Sequence, residues 1–488
     1  MMEHVDVIVV GAGLSGIAQA HHLQERCPDR TYLILERRDA IGGTWDLFRY
    51  PGIRSDSDMH TLGFGFRPWT GEKAIADGAS IRDYVRDAAR DAGIDRHIRF
   101  GVKVRAAHWS TPDARWTVEA EGEDGPITLT CSFLSLCAGY YDYDQGHAPD
   151  FPGAEDFTGR IVHPQHWPDD LDHGDRQVVV IGSGATAVTL VPELARKAAH
   201  VTMLQRSPSY VVARPGKDRV ADMLARVLPR RAAYALTRWK NVGLGMFFFQ
   251  LARRRPARVK KRLIAMAQQQ LGADYDVGTH FTPRYDPWDQ RVCLVPDADL
   301  FRAIRDGRAE VVTDTIERFE PSGIRLTSGR ILPADVVVTA TGLSIRIAGG
   351  IAFTVDGKAV SFAKRLAYKG MMFEGVPNLA LAFGYTNASW TLKAELTATY
   401  VCRLLNAMRR RGVRQVTPRN HDPDMARQPF VGFSSGYSQR AQHLMPEQGA
   451  RAPWRLHQNY ALDVLALRYG SIDTEMEFAN PEHHRATA

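Results

Sequence analysis

Two short glycine runs carry the clearest chemical potential in this sequence. "VVGAGLSG" sets Gly11, Gly13 and Gly16 between an apolar run and a helix-forming one, and "VIGSGATAV" sets Gly182, Gly184 and Ala187 in the same context. Small residues at that spacing let backbone amides close on a pyrophosphate, and the helix that follows aims its positive end at it. The sequels differ. About 20 residues past Gly16 the run "TYLILE" ends in Glu36, an acceptor for a free ribose hydroxyl. The matching run after the second turn ends in Arg206 and Ser207, which suit a 2′-phosphate. The first site therefore suits FAD and the second NADPH.

Two dinucleotide sites on one chain imply electron flow from nicotinamide to flavin. A disulfide acceptor would need a cysteine pair beside the flavin. The five cysteines (Cys27, Cys131, Cys137, Cys293 and Cys402) contain no CxxC. Their odd number and the lack of a CxxC pair argue against both a disulfide framework and a zinc cluster, and fit a reducing cytoplasm. Cys137 reads as a small buried residue. Molecular oxygen is the second candidate acceptor.

Between the turns, "FTGRIVHPQHWPDD" has Phe157, Gly159, His163, Trp167 and Pro168 in the pattern FxGxxxHxxxW followed by P or D. "GTWDLFRYPGIRSDSD" has Gly43, Trp45, Tyr50, Pro51, Gly52 and Asp56 in the pattern GxWxxxx[FY]PGxxxD. Together they resemble the type I Baeyer–Villiger monooxygenases. "DPWDQRVCLVP", "AYKGMM" and "GYTNASWTLKA" are most similar to the ethionamide-activating branch of that family, and the likeness covers most of the chain.

The resemblance implies an oxygen-inserting enzyme that converts ketones to esters or lactones through a flavin C4a-peroxide, with sulfide oxidation as a side activity. It implies Arg291 as the cation over the reacting oxygens and Asp56, in preference to Asp58, as the acid that orients it. Ser15, Thr44 and Trp45 join the FAD site, and Thr186, Thr341 and Gly342 complete the dinucleotide sites. Gln290 stands where many members carry a lysine for the 2′-phosphate, so NADPH preference leans on Arg206 and Ser207. His163 and Trp167 either couple the two units or pack a hinge; neither is read as a base. A heteroatom-hydroxylating flavin monooxygenase is the nearest enzyme alternative. A degraded, membrane-bound binder is the alternative from another class.

These side chains need an α/β scaffold with two Rossmann-like domains. The expected division is an FAD domain over 1–145 and 343–488 and an NADPH domain over 146–210 and 280–342, with a helical insertion at 211–279. "LSLCAGYY" and "ADVVVTATGL" read as the outward and return crossings, with Thr341 and Gly342 ending the latter. Asn387 or Ser389 is a candidate cap for the helix after "GYTNASW", and Trp390 either lines the pocket or packs. The N-terminal apolar run reads as a first strand, not a signal peptide. The 488 residues carry a net charge of +7, yet residues 214–262 alone carry +13, leaving −6 for the rest. There "MFFFQLA" abuts "RRRPARVKKR". That pattern suits either peripheral attachment to the inner face of a membrane or a solvated helix with its phenylalanines in the core. No recognition motif for nucleic acid accompanies the charge.

Overall fold

The computed structural model describes residues 2–290, 292–432 and 436–481. Each glycine turn leaves the end of a parallel strand. In the first sheet Glu3–Val10 lies between Tyr32–Leu35 and Gly125–Leu136, parallel to both. Val7, Ile8 and Val9 are wholly buried, as in a strand covered on both faces. Past Gly125–Leu136 the sheet turns antiparallel through Arg115–Gly122 and Lys103–Ser110. It then takes in Ala352–Val355 and Lys358–Val360, while Leu379–Leu381 pairs alongside Gly125–Leu136. One sheet thus draws on both ends of the chain.

The second sheet is all parallel, in the order Ala309–Thr313, His200–Gln205, Gln177–Ile181, Val336–Thr339, Arg160–Val162. Its last strand comes from "FTGRIVHPQHWPDD", the motif between the two glycine turns. The result is the expected α/β fold with two Rossmann-like units, the first discontinuous. The crossings between them run side by side. Asp142 N–H donates to Ser344 O at 2.9 Å, Arg346 N–H to Tyr140 O at 2.9 Å and His147 N–H to Gly342 O at 3.1 Å. Tyr141 and Ile345 form an antiparallel bridge between them.

The basic segment folds into the helices Arg219–Val227, Arg230–Arg254 and Pro256–Leu271. Pro256 opens the third, where its missing N–H is no loss. In sequence this insertion interrupts the second unit, but in space it touches both. Val242 joins the core of the first unit, and Ala267 and Leu271 join that of the second. Arg238 is buried and donates to His60 O at 2.9 Å, Gly63 O at 2.6 Å and Glu395 Oε2 at 2.7 Å. Glu395 also accepts from Gly65 N–H at 2.8 Å. A buried ion pair is tolerable when its remaining donors and acceptors are satisfied in this way.

Candidate functional site

The first turn is cramped behind. Gly11 has φ +104°, and a Cβ there would stand 2.6 Å from Cys137 O; a Cβ on Gly16 would stand 1.9 Å from Gly11 O. Gly16 therefore packs the helix Leu14–Arg26 onto its strand, while Gly11, Gly13 and Ser15 face a cavity. Gly13 caps that helix with no side-chain acceptor, so its first amides look toward the cavity. Buried Glu36 accepts from Ala12 N–H at 2.7 Å and from Arg38 N–H at 2.9 Å. Burial pushes its carboxyl above the usual range. Thr44 and Trp45, also lining the cavity, open a single helical turn. The Tyr143 hydroxyl meets the Thr44 side chain, and burial raises it to about 12.

The second turn repeats the plan with more room in front. A Cβ on Gly182 (φ +139°) would stand 2.4 Å from Ala340 O, yet one on Gly184 would meet nothing within 4 Å. Gly184 caps Ala185–Leu194, again without a side-chain acceptor. Ala187 is fully buried behind it. Thr186, Arg206 and Ser207 line the cavity, the last two exposed. The Ser183 hydroxyl donates to Ser207 O at 3.0 Å and also meets Ser209 Oγ at 3.0 Å, bracing that rim.

Both turns open into one continuous cavity of about 890 Å³. Asp56 is exposed on its wall. Asp58 instead caps the short helix Met59–Leu62, accepting from Thr61 N–H at 3.1 Å. Arg291 lies outside the described residues; its neighbours Gln290 and Cys293 line the cavity, as do Thr341 and Gly342. Two polar links cross between the units here. Tyr50 hydrogen-bonds the Thr186 side chain and is raised to about 12 by burial. Arg54 pairs with Asp299 at 2.5 Å.

None of Phe157, Gly159, His163 and Trp167 lines the cavity. Phe157 packs edge-on against Phe319 at 5.8 Å between centroids. A Cβ on Gly159 would stand 2.3 Å from Asp335 O, so glycine lets the edge strand close on its neighbour. His163 Nδ1 accepts from Gln165 N–H at 3.2 Å, and its ring lies against Gly146 of the outward crossing. Burial holds His163 below the usual histidine range, hence neutral. Trp167 packs against the core of the second unit.

Trp390 does both things open to it. It lines the cavity, stacks on Tyr140 at 5.0 Å and donates from Nε1 to Ser15 Oγ at 2.8 Å. The capping expectation needs correction. Ser389 occupies the N-cap position of Trp390–Arg411, but its hydroxyl bonds Thr61 Oγ1 at 2.6 Å and caps nothing. Asn387 Nδ2 donates to Gln458 O at 3.0 Å. Sequence reading also missed a charged hub on the crossing. Asp144 binds Arg37, Lys103 (3.3 Å) and Arg346 (3.4 Å), all three cations lining the cavity. The acid-and-tyrosine run "YYDYD" was its only local signal.

Residues 74–250 match the flavin-binding monooxygenase-like family, and residues 9–71 an NAD(P)-binding Rossmann-like domain. The chain is 56% identical over 476 residues to the FAD-containing monooxygenase EthA of Mycobacterium tuberculosis, covering 97% of each. It is 53% identical to EthA of Mycolicibacterium smegmatis at the same coverage. Among solved structures, an oxidized steroid monooxygenase bound to NADP superposes with a TM-score of 0.78 at 20% identity, covering 98% of this chain and 100% of the other. Cyclohexanone monooxygenase in an open form gives 0.77 at 19%, with the same coverage. Those two likenesses establish the fold; the near-full-length identity to the mycobacterial enzymes establishes kinship, and the chain belongs to the FAD-containing monooxygenase family.

Proposed function

We propose that this chain is an FAD- and NADPH-dependent Baeyer–Villiger monooxygenase that inserts one atom of O2 into ketones, giving esters or lactones. The supporting observation is one cavity lined by both glycine turns and by Asp56 and Gln290. FAD fits the first turn: Gly11, Gly13 and the uncapped amides of Leu14–Arg26 suit its pyrophosphate, and Glu36, fixed by two amides, has acceptor capacity left for a ribose. NADPH fits the second, with Gly184 and Thr186 at the pyrophosphate and Arg206 and Ser207 at the 2′-phosphate. Bound flavin, reduced by NADPH, supplies the activation of O2 that no side chain can.

The chain does the rest. Arg291 keeps its proton and holds the negative charge that develops at the ketone oxygen. Asp56 orients it. Trp390 and Tyr140 form an aromatic wall that excludes water. Sulfide oxidation would depend less on the cation. The test is a panel of linear, cyclic and aryl ketones plus one sulfide, with purified yellow protein, NADPH and ¹⁸O₂. A ketone gaining one labelled oxygen as an ester is the expected result, and Arg291→Ala lowers that turnover by about a hundredfold or more. Labelled sulfoxide with no ester from any ketone would overturn the reading in favour of a heteroatom hydroxylase.

A further inference from the structure

The helix Arg230–Arg254 is apolar on two sides. Its inner face sets Tyr234, Arg238 and Val242 into the first unit. Its outer face sets Leu236, Trp239, Leu244, Phe247 and Phe248 in solvent. Phe247 is 60% exposed and Phe248 43%. Of the three phenylalanines in "MFFFQLA", Phe249 alone meets a partner ring outside its own helix, that of Trp288. A solvated helix with all its phenylalanines in the core is therefore not what forms.

Neighbouring elements extend the patch. The helix Arg219–Val227, packed on this one, exposes Val220, Met223 and Val227, three and four residues apart. Trp239 also touches Tyr460, which begins the segment that exposes Leu462, Leu465 and Tyr469. Eleven of the sixteen large apolar side chains exposed among the described residues thus lie on three elements. Solvent-exposed apolar surface concentrated in this way marks a docking surface.

Charge frames the stripe. No ionisable residue occurs from Asn241 to Ala252. Arg226, Arg230 and Arg231 stand exposed at one end of the long helix, and Arg254, Arg255, Arg258, Lys261 and Arg262 beyond the other. A second copy pairing about a two-fold axis would press like charges together. Phosphate backbones would leave the apolar residues uncovered. An anionic bilayer surface satisfies both: aromatic and aliphatic groups enter the headgroup boundary while the cations meet lipid phosphates. No helix among the described residues is long and apolar enough to cross a membrane, so attachment is to one face.

We propose that the outer face of Arg219–Val227 and Arg230–Arg254, together with residues 460–469, is a peripheral docking surface for anionic phospholipid membranes. The test is sedimentation of the flavin-loaded enzyme with vesicles of phosphatidylcholine alone or mixed equally with phosphatidylglycerol; no substrate is involved, so the result is independent of the ketone reading. Binding to the anionic vesicles should be about tenfold tighter or more, and should weaken as salt rises. Phe247→Ser with Phe248→Ser should weaken it on the order of tenfold. Arg254→Gln with Arg258→Gln should erase the preference for anionic lipid. Ile331→Ser, an exposed apolar site on the second unit, should change nothing. Unchanged flavin content certifies that each variant is folded. Absence of binding to anionic vesicles, or binding that ignores both double variants, overturns the proposal. So does a wild-type dimer in ultracentrifugation that the phenylalanine variant converts to monomer.

Discussion

The two glycine turns share one strand–turn–helix plan and differ in what surrounds the ligand position. Around the first, Cys137 O and Gly11 O leave no room for a Cβ on Gly11 or Gly16, and Glu36 is buried with two backbone donors on its carboxylate. Around the second, Gly184 faces open space, Ala187 replaces the third glycine, and Arg206 and Ser207 are exposed. A recognition group pinned in advance suits a cofactor that stays bound. An exposed arginine on a rim suits one that must leave after each turnover, because its side chain can follow a departing phosphate. The difference teaches that one motif is tuned to residence or exchange by the packing behind it.

Swapping the third small residue should break the comparison most visibly. Gly16→Ala forces a methyl into Gly11 O and should cost on the order of 3 kcal/mol, giving protein depleted of flavin. Ala187→Gly should cost about 1 kcal/mol and leave flavin content unchanged, read by absorbance and thermal melting. Next come the recognition residues. Arg206→Ala should reduce the NADPH-over-NADH preference in KM by one to two decades, about 1–3 kcal/mol, with kcat little changed. Glu36→Gln should weaken FAD by a similar amount, seen as flavin lost on dialysis.

Acid should separate the units as well. His22, on the helix after the first turn, is held neutral by burial at about 3 against an ordinary 6.5, and neither ring nitrogen has a partner. Its proton uptake belongs to the unfolded chain, so its contribution is complete above pH 6.5 and is lost progressively as pH falls toward 3. At pH 5 that loss is about 2 kcal/mol. The helix Ala185–Leu194 carries no such residue. The pH dependence of unfolding should flatten in His22→Leu. Smallest of all, Tyr50→Phe removes one hydrogen bond between the units and should lower stability by about 1 kcal/mol, read by thermal melting.

Much of this was legible locally. Apolar runs closed by glycines mark Glu3–Val10 and Gln177–Ile181, and the residues ending the next strands, Glu36 and Arg206, stand at the cavity. Motif register also separated Asp56 from Asp58, of which the former lines the cavity and the latter caps a helix. What escaped depends on distant partners. Arg160–Val162 is too short to announce itself as a strand, and its neighbour Val336–Thr339 lies far along the chain. Arg238 is one of fifteen cations in its segment, and nothing nearby says that Glu395, 157 residues on, will neutralise it. Ser389 shows the reverse: its place before the helix was readable, but Thr61, from another element, took its hydroxyl.

The paired crossings have a mechanical consequence. A single strand joining two bodies acts as a ball joint, free to swing and twist. Two antiparallel segments stitched at Tyr140, Asp142 and His147 act as a strip, which bends across its flat face but resists twisting and shear. Relative movement of the nucleotide units is thereby narrowed toward one rotation, as in a door leaf. A dinucleotide carried on one leaf would then return to the same line on every swing.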